Sequence, residues 1–255
     1  AIERIEKLVD LGTFLTLNSI YDPLANEEGT TGLLQGMGRV AGRYASVIAS
    51  DHKVLAGAWI PGHAEKIFRA QDMAEKLRIP LIWILNCSGI KLSEQEKLFA
   101  GRRSGGRTFF RHAELLQRGI PVVVGVFGTN PAGGGYHAIS PAFIFAHSEG
   151  NMAVGGGGIV SGMSPQGGFD LEGAEMLIGA TRRFREIPPG RVQTHFEHTG
   201  FFREVYDTEE GVLEAIRRCE FADEARGESL FVGEVPPEQG DLADPLRAHR
   251  RAEQR

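Results

Sequence analysis

Two uninterrupted apolar segments, PLIWILN and PVVVGVF, constrain the fold of this chain more than any other feature of its sequence. Strands that are covered on both faces show no alternation of polar and apolar residues, so both segments are typical of buried parallel strands. Each segment follows a helical pattern and precedes a turn and a further helical pattern. This repeated order predicts an α/β fold in which right-handed crossovers join parallel strands.

The neighbouring segments add a hairpin and further helices to this prediction. GLLQGMGRVAGRYASVIASD reads as two strands around a turn, and PGHAEKIFRAQDMAEKLRI has helical periodicity. Beyond Arg191, FFREVYDTEEGVLEAIRRCEFADE is predicted to be helical, with Thr208 as an N-terminal cap. The first residues, AIERIEKLVD, begin inside an amphipathic helical pattern, so we expect a truncated or processed N-terminus.

Composition argues against several classes of function. The formal net charge of −5 gives no global reason to expect binding to nucleic acid or to an acidic membrane surface. Cys87 and Cys219 form neither a CxxC pair nor a metal-ligand pattern, so neither a disulfide framework nor a metal site is predicted. No apolar run approaches the ~20 residues of a membrane span, and the N-terminus is charged, so a cytoplasmic protein is expected.

The segment GTNPAGGGYHAIS places adjacent glycines where the second apolar strand gives way to a helix. Unpaired amides at a helix N-terminus bind anions, and glycine lets a ligand approach the backbone. A phosphate cradle needs Lys and then Ser or Thr after the last glycine, but Tyr136 and His137 stand there. The spacing of Gly133, Gly134 and Gly135 does not fit the dinucleotide fingerprint. The remaining functional interpretation is an oxyanion hole, in which amides hold a carbonyl oxygen as it becomes negative.

An oxyanion hole usually needs a second donor from another strand end. The segment NCSGI (Asn86–Ile90) follows the first apolar strand just as the glycine-rich segment follows the second one. Both turns are therefore expected at the carboxyl edge of neighbouring strands, where open parallel sheets bind ligands. The residues alone leave an alternative open, namely that both segments are tight turns packed closely for structural reasons.

Segments spread along the chain resemble biotin-dependent carboxyltransferases, among them LIWILNCSGIKLSEQEK, GIPVVVGVFGTNPAGGGYHAISP and NMAVGGGGIVSGM. The resemblance runs from Ala1 to about Ala215 in the family's order. It is greatest to the glutaconyl-CoA decarboxylase branch, and weaker to the β subunits of propionyl- and methylcrotonyl-CoA carboxylases. The resemblance implies a crotonase-like (ClpP/crotonase) fold, a β-β-α superhelix along which CoA thioesters bind.

The resemblance also implies site residues. The backbone amides of Ile90 and Gly133 would hold the thioester oxygen while an enolate forms or collapses, so Ile90→Val should be nearly silent. A carboxyl group would move between the acyl-CoA and biotin on a partner carrier domain. The other residues expected to bind substrate are Ser88, Gly89, Gly134, Gly135, Arg102, Arg103, Gly156 and Gly157. The two arginines suit CoA phosphates, although a solvated loop or a subunit contact explains them equally well.

The same resemblance implies a domain organisation and partners. Members of the family carry two homologous halves, and this chain corresponds to the amino-terminal, acyl-CoA-binding half over residues 1–234, with a linker-like tail at 235–255. The expected partners are a carboxyl-terminal carboxyltransferase half or subunit and a biotin carrier protein, within an oligomer. Two alternatives stay open: a biotin-independent crotonase-type acyl-CoA decarboxylase, and a non-catalytic subunit that binds CoA or completes an oligomer.

Two further side chains near the glycine turns invite catalytic roles. His137 is conceivable as a general acid or base, but loss of CO2 delivers the enolate without proton abstraction, so a packed helix residue is the favoured interpretation. Cys87 is conceivable as a nucleophile, but no His or acid is visibly placed to activate it, so a small buried side chain is favoured.

Overall fold

The computed structural model describes residues 1–17, 32–99, 101–139, 141–153 and 190–219. Within these residues, seven strands form one sheet in the spatial order β1 (Leu15–Thr16), β2 (Leu33–Val40), β3 (Arg43–Ser50), β4 (Leu81–Leu85), β5 (Val122–Val126), β7 (Phe143–His147) and β9 (Glu204–Tyr206). Strands β6 (Thr129–Pro131) and β8 (Asn151–Ala153) pair with each other. The α-helices are α1 (Ile2–Leu8), α2 (His63–Leu77), α3 (Gln95–Phe99), α4 (Gly105–Gln117), α5 (Val192–Thr199) and α6 (Glu209–Cys219). Short 3-10 helices span Leu55–Gly57, Leu92–Glu94 and Ala132–Ala138.

The pairing of the strands confirms the predicted hairpin and the predicted parallel sheet. Strands β2 and β3 run antiparallel, with Arg39 opposite Tyr44 beside the turn that joins them. From β3 onward, β4, β5, β7 and β9 are parallel neighbours. Helix α2 connects β3 to β4, and α4 lies between β4 and β5 in the chain, so helices serve as crossovers between parallel strands.

Both faces of the sheet are covered, and β4 shows this most clearly. Leu81, Trp83 and Leu85 belong to a core shared with α2 and α4, whereas Ile82 and Ile84 belong to a core shared with α1 and α6. All five side chains have no solvent exposure. Burying one such side chain stabilises the fold by roughly 1.5–3 kcal/mol, which explains why β4 consists of apolar residues. None of the described helices is long and apolar enough to cross a membrane.

The structure corrects the helical interpretation of the segment FFREVY. Glu204–Tyr206 form β9, which pairs in parallel with β7, and the helix begins only at Glu209. Valine and tyrosine favour strands, and the open edge of β7 offers backbone partners that a local helix would forgo. The predicted cap is confirmed, because the Gly211 N–H donates to the Thr208 hydroxyl oxygen at 3.1 Å.

Candidate functional site

Two turns meet at the carboxyl edge of the sheet. Strands β4 and β5 are parallel neighbours, with Leu85 opposite Val126, so the segments that follow them emerge at the same edge. We call the first segment, Asn86–Ile90, the NCSGI turn. The second segment passes through the short strand β6 into the 3-10 helix Ala132–Ala138, which we call the glycine helix. The sequence predicted both turns at this edge but missed the strand between β5 and the helix.

Gly134 is the point at which the two segments touch. A Cβ atom added there would lie on the Cys87 carbonyl oxygen, 2.9 Å from the carbonyl carbon and 3.0 Å from the Gly89 amide nitrogen. Gly135 is similarly confined, because its Cβ would lie 2.7 Å from the Asn130 carbonyl oxygen. Close packing therefore requires glycine at both positions.

Gly133 differs from the two glycines that follow it. A Cβ atom there would meet only the Ile90 Cγ2 atom, at 3.9 Å, which is an ordinary contact. The residue is half-buried and lies in the first turn of the glycine helix, where N–H groups have no carbonyl partner within the helix. Packing alone does not explain why glycine stands at this position.

The N–H group of Ile90 points away from Trp59, the residue with which Ile90 forms a parallel bridge. The Trp59 N–H donates to the Gly89 carbonyl at 2.8 Å, and the Lys91 N–H donates to the Trp59 carbonyl at 2.9 Å. In this parallel bridge the residues on either side of Ile90 make the bonds, so its own N–H faces the opposite side. Among the residues that the structure describes, no backbone carbonyl accepts a hydrogen bond from Ile90 or Gly133. Two N–H groups without a backbone partner thus belong to neighbouring segments that follow different strands.

The structure brings most of the sequence-predicted site residues together at this edge. Ser88 and Gly89 lie in the NCSGI turn, where the Ser88 N–H donates to the Ala56 carbonyl at 3.1 Å and Gly89 has a φ of 104°. Gly156 and Gly157 fall in the stretch 154–189, outside the described residues. Within the described part of the chain, no group of three His, Cys, Asp or Glu residues is placed to hold a metal ion.

The two arginines lie in the loop before α4, and Arg103 is held by α2. Its Nε donates to Glu65 at 2.7 Å, a second guanidinium nitrogen lies 3.3 Å from Asp72, and the group stacks over the Phe68 ring at 4.5 Å. The Arg103 guanidinium beside it holds the pKa of Glu65 below its usual value. Arg102 is exposed. The carboxylates of α2 therefore already bond the Nε atom and one terminal nitrogen of Arg103.

His137 belongs to the glycine helix, and its side chain packs into the core below that helix. It is fully buried, and its ring stacks on Trp83 with centroids 3.8 Å apart and contacts Trp59 and Phe109 at 4.6 and 4.7 Å. Burial lowers the pKa of His137 well below its ordinary value. Burial likewise lowers the pKa of its neighbour His112 to about 4. Both rings are therefore neutral near pH 7.

These buried histidines predict that the fold loses stability in mild acid. Below the ordinary pKa of 6.5, the unfolded chain takes up protons that folded His112 and His137 do not bind. These two histidines therefore leave the free energy of unfolding unchanged above about pH 7. As the pH drops toward 4, each of them lowers the free energy of unfolding by about 1.4 kcal/mol per pH unit. Urea unfolding between pH 7.5 and 5 measures the slope. His112→Phe should remove its share, and a flat wild-type profile would contradict the expectation.

Cys87 lies inside the NCSGI turn, where its thiol is fully buried. Burial raises the pKa of its thiol to about 12, and the Sγ atom lies 3.4 Å from the Gly89 carbonyl oxygen. We expect iodoacetamide at pH 8 to leave Cys87 unmodified in the folded protein, because the thiolate is the reactive form. The half-buried Cys219 is the internal reference in peptide mass mapping. Labelling of Cys87 at the rate of Cys219, before unfolding, would argue for a reactive thiol.

Sequence reasoning missed Asn130, whose fully buried side chain links the two segments. The Cys87 N–H donates to the Asn130 Oδ1 atom at 2.7 Å. The available signal was an asparagine directly before proline in an otherwise apolar and glycine-rich stretch, where a buried amide must find partners.

Comparison with known protein families gives a match over most of the chain. The family described as carboxyl transferase domain matches residues 1–228. The chain is 54% identical over 219 residues to the glutaconyl-CoA decarboxylase subunit alpha of Acidaminococcus fermentans, covering 86% of this chain and 37% of that protein. It is 34% identical over 162 residues to the biotin-dependent 3-methylcrotonyl-coenzyme A carboxylase beta1 subunit of Mycobacterium tuberculosis, covering 60% and 30% of the two chains.

Solved structures show the same fold. The β subunit of P. aeruginosa geranyl-CoA carboxylase superimposes with a TM-score of 0.67 at 22% identity, over 87% of this chain and 38% of that one. A chain of the transcarboxylase 12S structure gives a TM-score of 0.65 at 17% identity, over 86% of this chain and 40% of that one. These likenesses confirm the α/β, crotonase-like fold expected from the sequence. The chain spans between 30% and 40% of the length of these four relatives.

Proposed function

The chain belongs to the carboxyl transferase domain family, and from that membership we propose that it forms the acyl-CoA-binding part of a carboxyltransferase. In this proposal a carboxyl group moves between a CoA thioester and biotin, and the backbone amides of Ile90 and Gly133 hold the thioester oxygen. The likeness to a glutaconyl-CoA decarboxylase subunit favours glutaconyl-CoA, or a related dicarboxylic thioester, as the substrate.

One observation carries the proposal. Close packing explains the glycines at 134 and 135, but the open space at Gly133 shows that packing does not demand glycine there. A missing side chain beside an unbonded amide gives an acyl group access to that amide. The Ile90 amide comes from the other strand end and is likewise unbonded within the described residues. The backbone N–H groups of Ile90 and Gly133 are the kind of donors that form an oxyanion hole.

The chemistry follows from this pair of donors. When the carbon–carbon bond to the leaving carboxylate breaks, its electron pair moves into the acyl chain and places negative charge on the thioester oxygen as an enolate. Two fixed N–H groups stabilise that charge more than the neutral carbonyl, which lowers the barrier. No side chain has to remove a proton in this step, and neutral, buried His137 and Cys87 are consistent with that.

Biotin would enter as a group carried by a partner. When bound, it would supply the N1 atom that takes up or delivers the carboxyl group. The proposed donors to the thioester oxygen, Ile90 and Gly133, lie among the described residues, whereas Gly156 and Gly157, also expected to bind substrate, lie outside them. We further propose a carboxyl-terminal half or subunit and a biotin carrier as partners in an oligomer. Arg102, which is exposed, would be the more available of the two arginines for the CoA phosphates, because Glu65 and Asp72 bind Arg103.

Turnover assays of the purified chain test the proposal. The chain is incubated with glutaconyl-CoA and with malonyl-CoA, with and without free biotin, and CO2 is followed by mass spectrometry. Saturable thioester binding, with turnover only when biotin or the partner is added, would support it. Turnover without biotin would favour a self-sufficient decarboxylase of the crotonase type. Neither binding nor turnover, even with the partner, would favour a structural subunit.

A further inference from the structure

We propose that Asn130 is a positioning residue that fixes the separation of the Ile90 and Gly133 amides. The inference rests on the proposed function, because it assigns Asn130 to the same oxyanion hole. Asn130 itself touches no reacting atom in this proposal. It acts through the backbone segments to which its side chain is bonded.

The contacts of Asn130 join three separate strand ends. Its Oδ1 atom accepts the Cys87 N–H at 2.7 Å, just after β4. Its Nδ2 group donates to the carbonyls of Phe127 at 2.8 Å and Gly128 at 3.2 Å, just after β5. The same group lies 3.4 Å from the Asn151 carbonyl in β8. One planar amide thus bonds the ends of β4, β5 and β8.

These bonds lie close to the two donors in the chain. Cys87 precedes Ile90 by one short turn, and Asn130 precedes Gly133 by the same spacing. The Cys87 carbonyl group is also held in place, because Gly134 packs against it. With the N–H held by Asn130 and the carbonyl held by the glycine helix, the NCSGI turn has little freedom to shift. Any change at Asn130 is therefore transmitted to the gap between the donors.

Only a side-chain amide satisfies this arrangement. The site requires an acceptor toward Cys87 and donors toward several carbonyls, and asparagine offers both on one rigid group. A carboxylate offers acceptors only, and leucine, although similar in volume, offers neither. Asn130 has no solvent exposure, so water does not replace a lost bond without rearrangement of the turns. A misplacement of about 1 Å can lower a catalysed rate by about 100-fold.

The test measures polarisation of a bound carbonyl. Glutaryl-CoA labelled with 13C at the thioester carbon lacks the double bond that stabilises a carbanion, so it remains intact. Two donors should move its carbonyl stretching band to lower wavenumber on binding the full chain. Asn130→Leu should lose most of this shift, while the dissociation constant stays within about threefold of wild type. Gln71→Leu is the matched control, because it removes another buried amide, bonded to the Thr108 carbonyl at 2.8 Å, that links α2 to α4. It should keep the full shift.

The outcomes separate the inference from the proposed function. If wild type binds the thioester without a shift, or does not bind it, the oxyanion hole itself is wrong. If wild type shows the shift and folded Asn130→Leu keeps it, the hole stands and the positioning role is overturned. Should Asn130→Leu not fold, Asn130→Ser decides, because its shorter hydroxyl cannot reach both turns and should lose part of the shift. Failure of both variants to fold would overturn the inference in favour of a purely stabilising residue.

Discussion

Gly133→Pro is expected to lower kcat by roughly 10²–10³-fold, or about 3–4 kcal/mol in the barrier. Proline has no N–H, so the substitution deletes one of the two proposed donors to the enolate oxygen. Gly133 lies in the first turn of its helix, where proline removes no helical hydrogen bond. The measurement is steady-state turnover of the thioester by the complete enzyme, with circular dichroism to establish that the variant is folded.

Two substitutions at the same pair of residues are the controls for Gly133→Pro. Gly133→Ala keeps the N–H, and its Cβ would meet only the Ile90 Cγ2 atom at 3.9 Å, so the fold should be unchanged. Because this Cβ would enter the space proposed for the acyl group, KM for the thioester should rise, while kcat should fall far less than in Gly133→Pro. Ile90→Val keeps the other N–H and should change kcat by less than about threefold. Near-normal turnover by folded Gly133→Pro would contradict the assignment of the oxyanion hole.

Gly134→Ala should be the most destabilising single methyl addition at the site. The new Cβ would overlap the Cys87 carbonyl oxygen and approach the Gly89 nitrogen to 3.0 Å, and both are backbone atoms that cannot rotate away. Overpacking of this kind costs about 1–3 kcal/mol and more where the neighbours are rigid, so we expect a loss of about 3 kcal/mol. That is a large part of the 5–15 kcal/mol that holds a typical domain together.

Comparing the stability of Gly134→Ala with that of Gly133→Ala tests whether the loss comes from the contact with Cys87. Both variants add one methyl group in the same helix and lose the same backbone freedom in the unfolded chain. Urea unfolding should therefore separate them by the steric cost alone. Equal stabilities would show that the two turns do not touch as described, and would remove the packing explanation for Gly134.

Continuous apolar runs made the central sheet predictable. PLIWILN and PVVVGVF became β4 and β5 as parallel neighbours, so the edge at which the two turns meet followed from the sequence. The hairpin and the cap at Thr208 also followed, because both depend on residues close together in the chain. The domain bounds and the catalytic roles of Ile90 and Gly133 stay predictions.

The features that sequence reasoning missed depend on contacts between distant residues. Asn130 meets Cys87 across 43 positions of the chain, and Arg103 meets Glu65 across 38. Neither pairing leaves a local pattern, since the partner, the Cys87 backbone N–H in one case and the Glu65 carboxylate in the other, lies far away in the sequence. Strand β9 was missed for a similar reason, because the open edge of β7 decides its conformation more than its own residues do.

The aromatic cluster beneath the glycine helix gives the chain a built-in optical reporter. The sequence contains two tryptophans, and both touch the site: Trp83 stacks on His137 at 3.8 Å, while Trp59 pairs with Ile90 and contacts the same histidine at 4.6 Å. A displacement of either turn changes the surroundings of an indole ring. Intrinsic fluorescence should therefore follow ligand-induced movement at this edge in real time, without a dye.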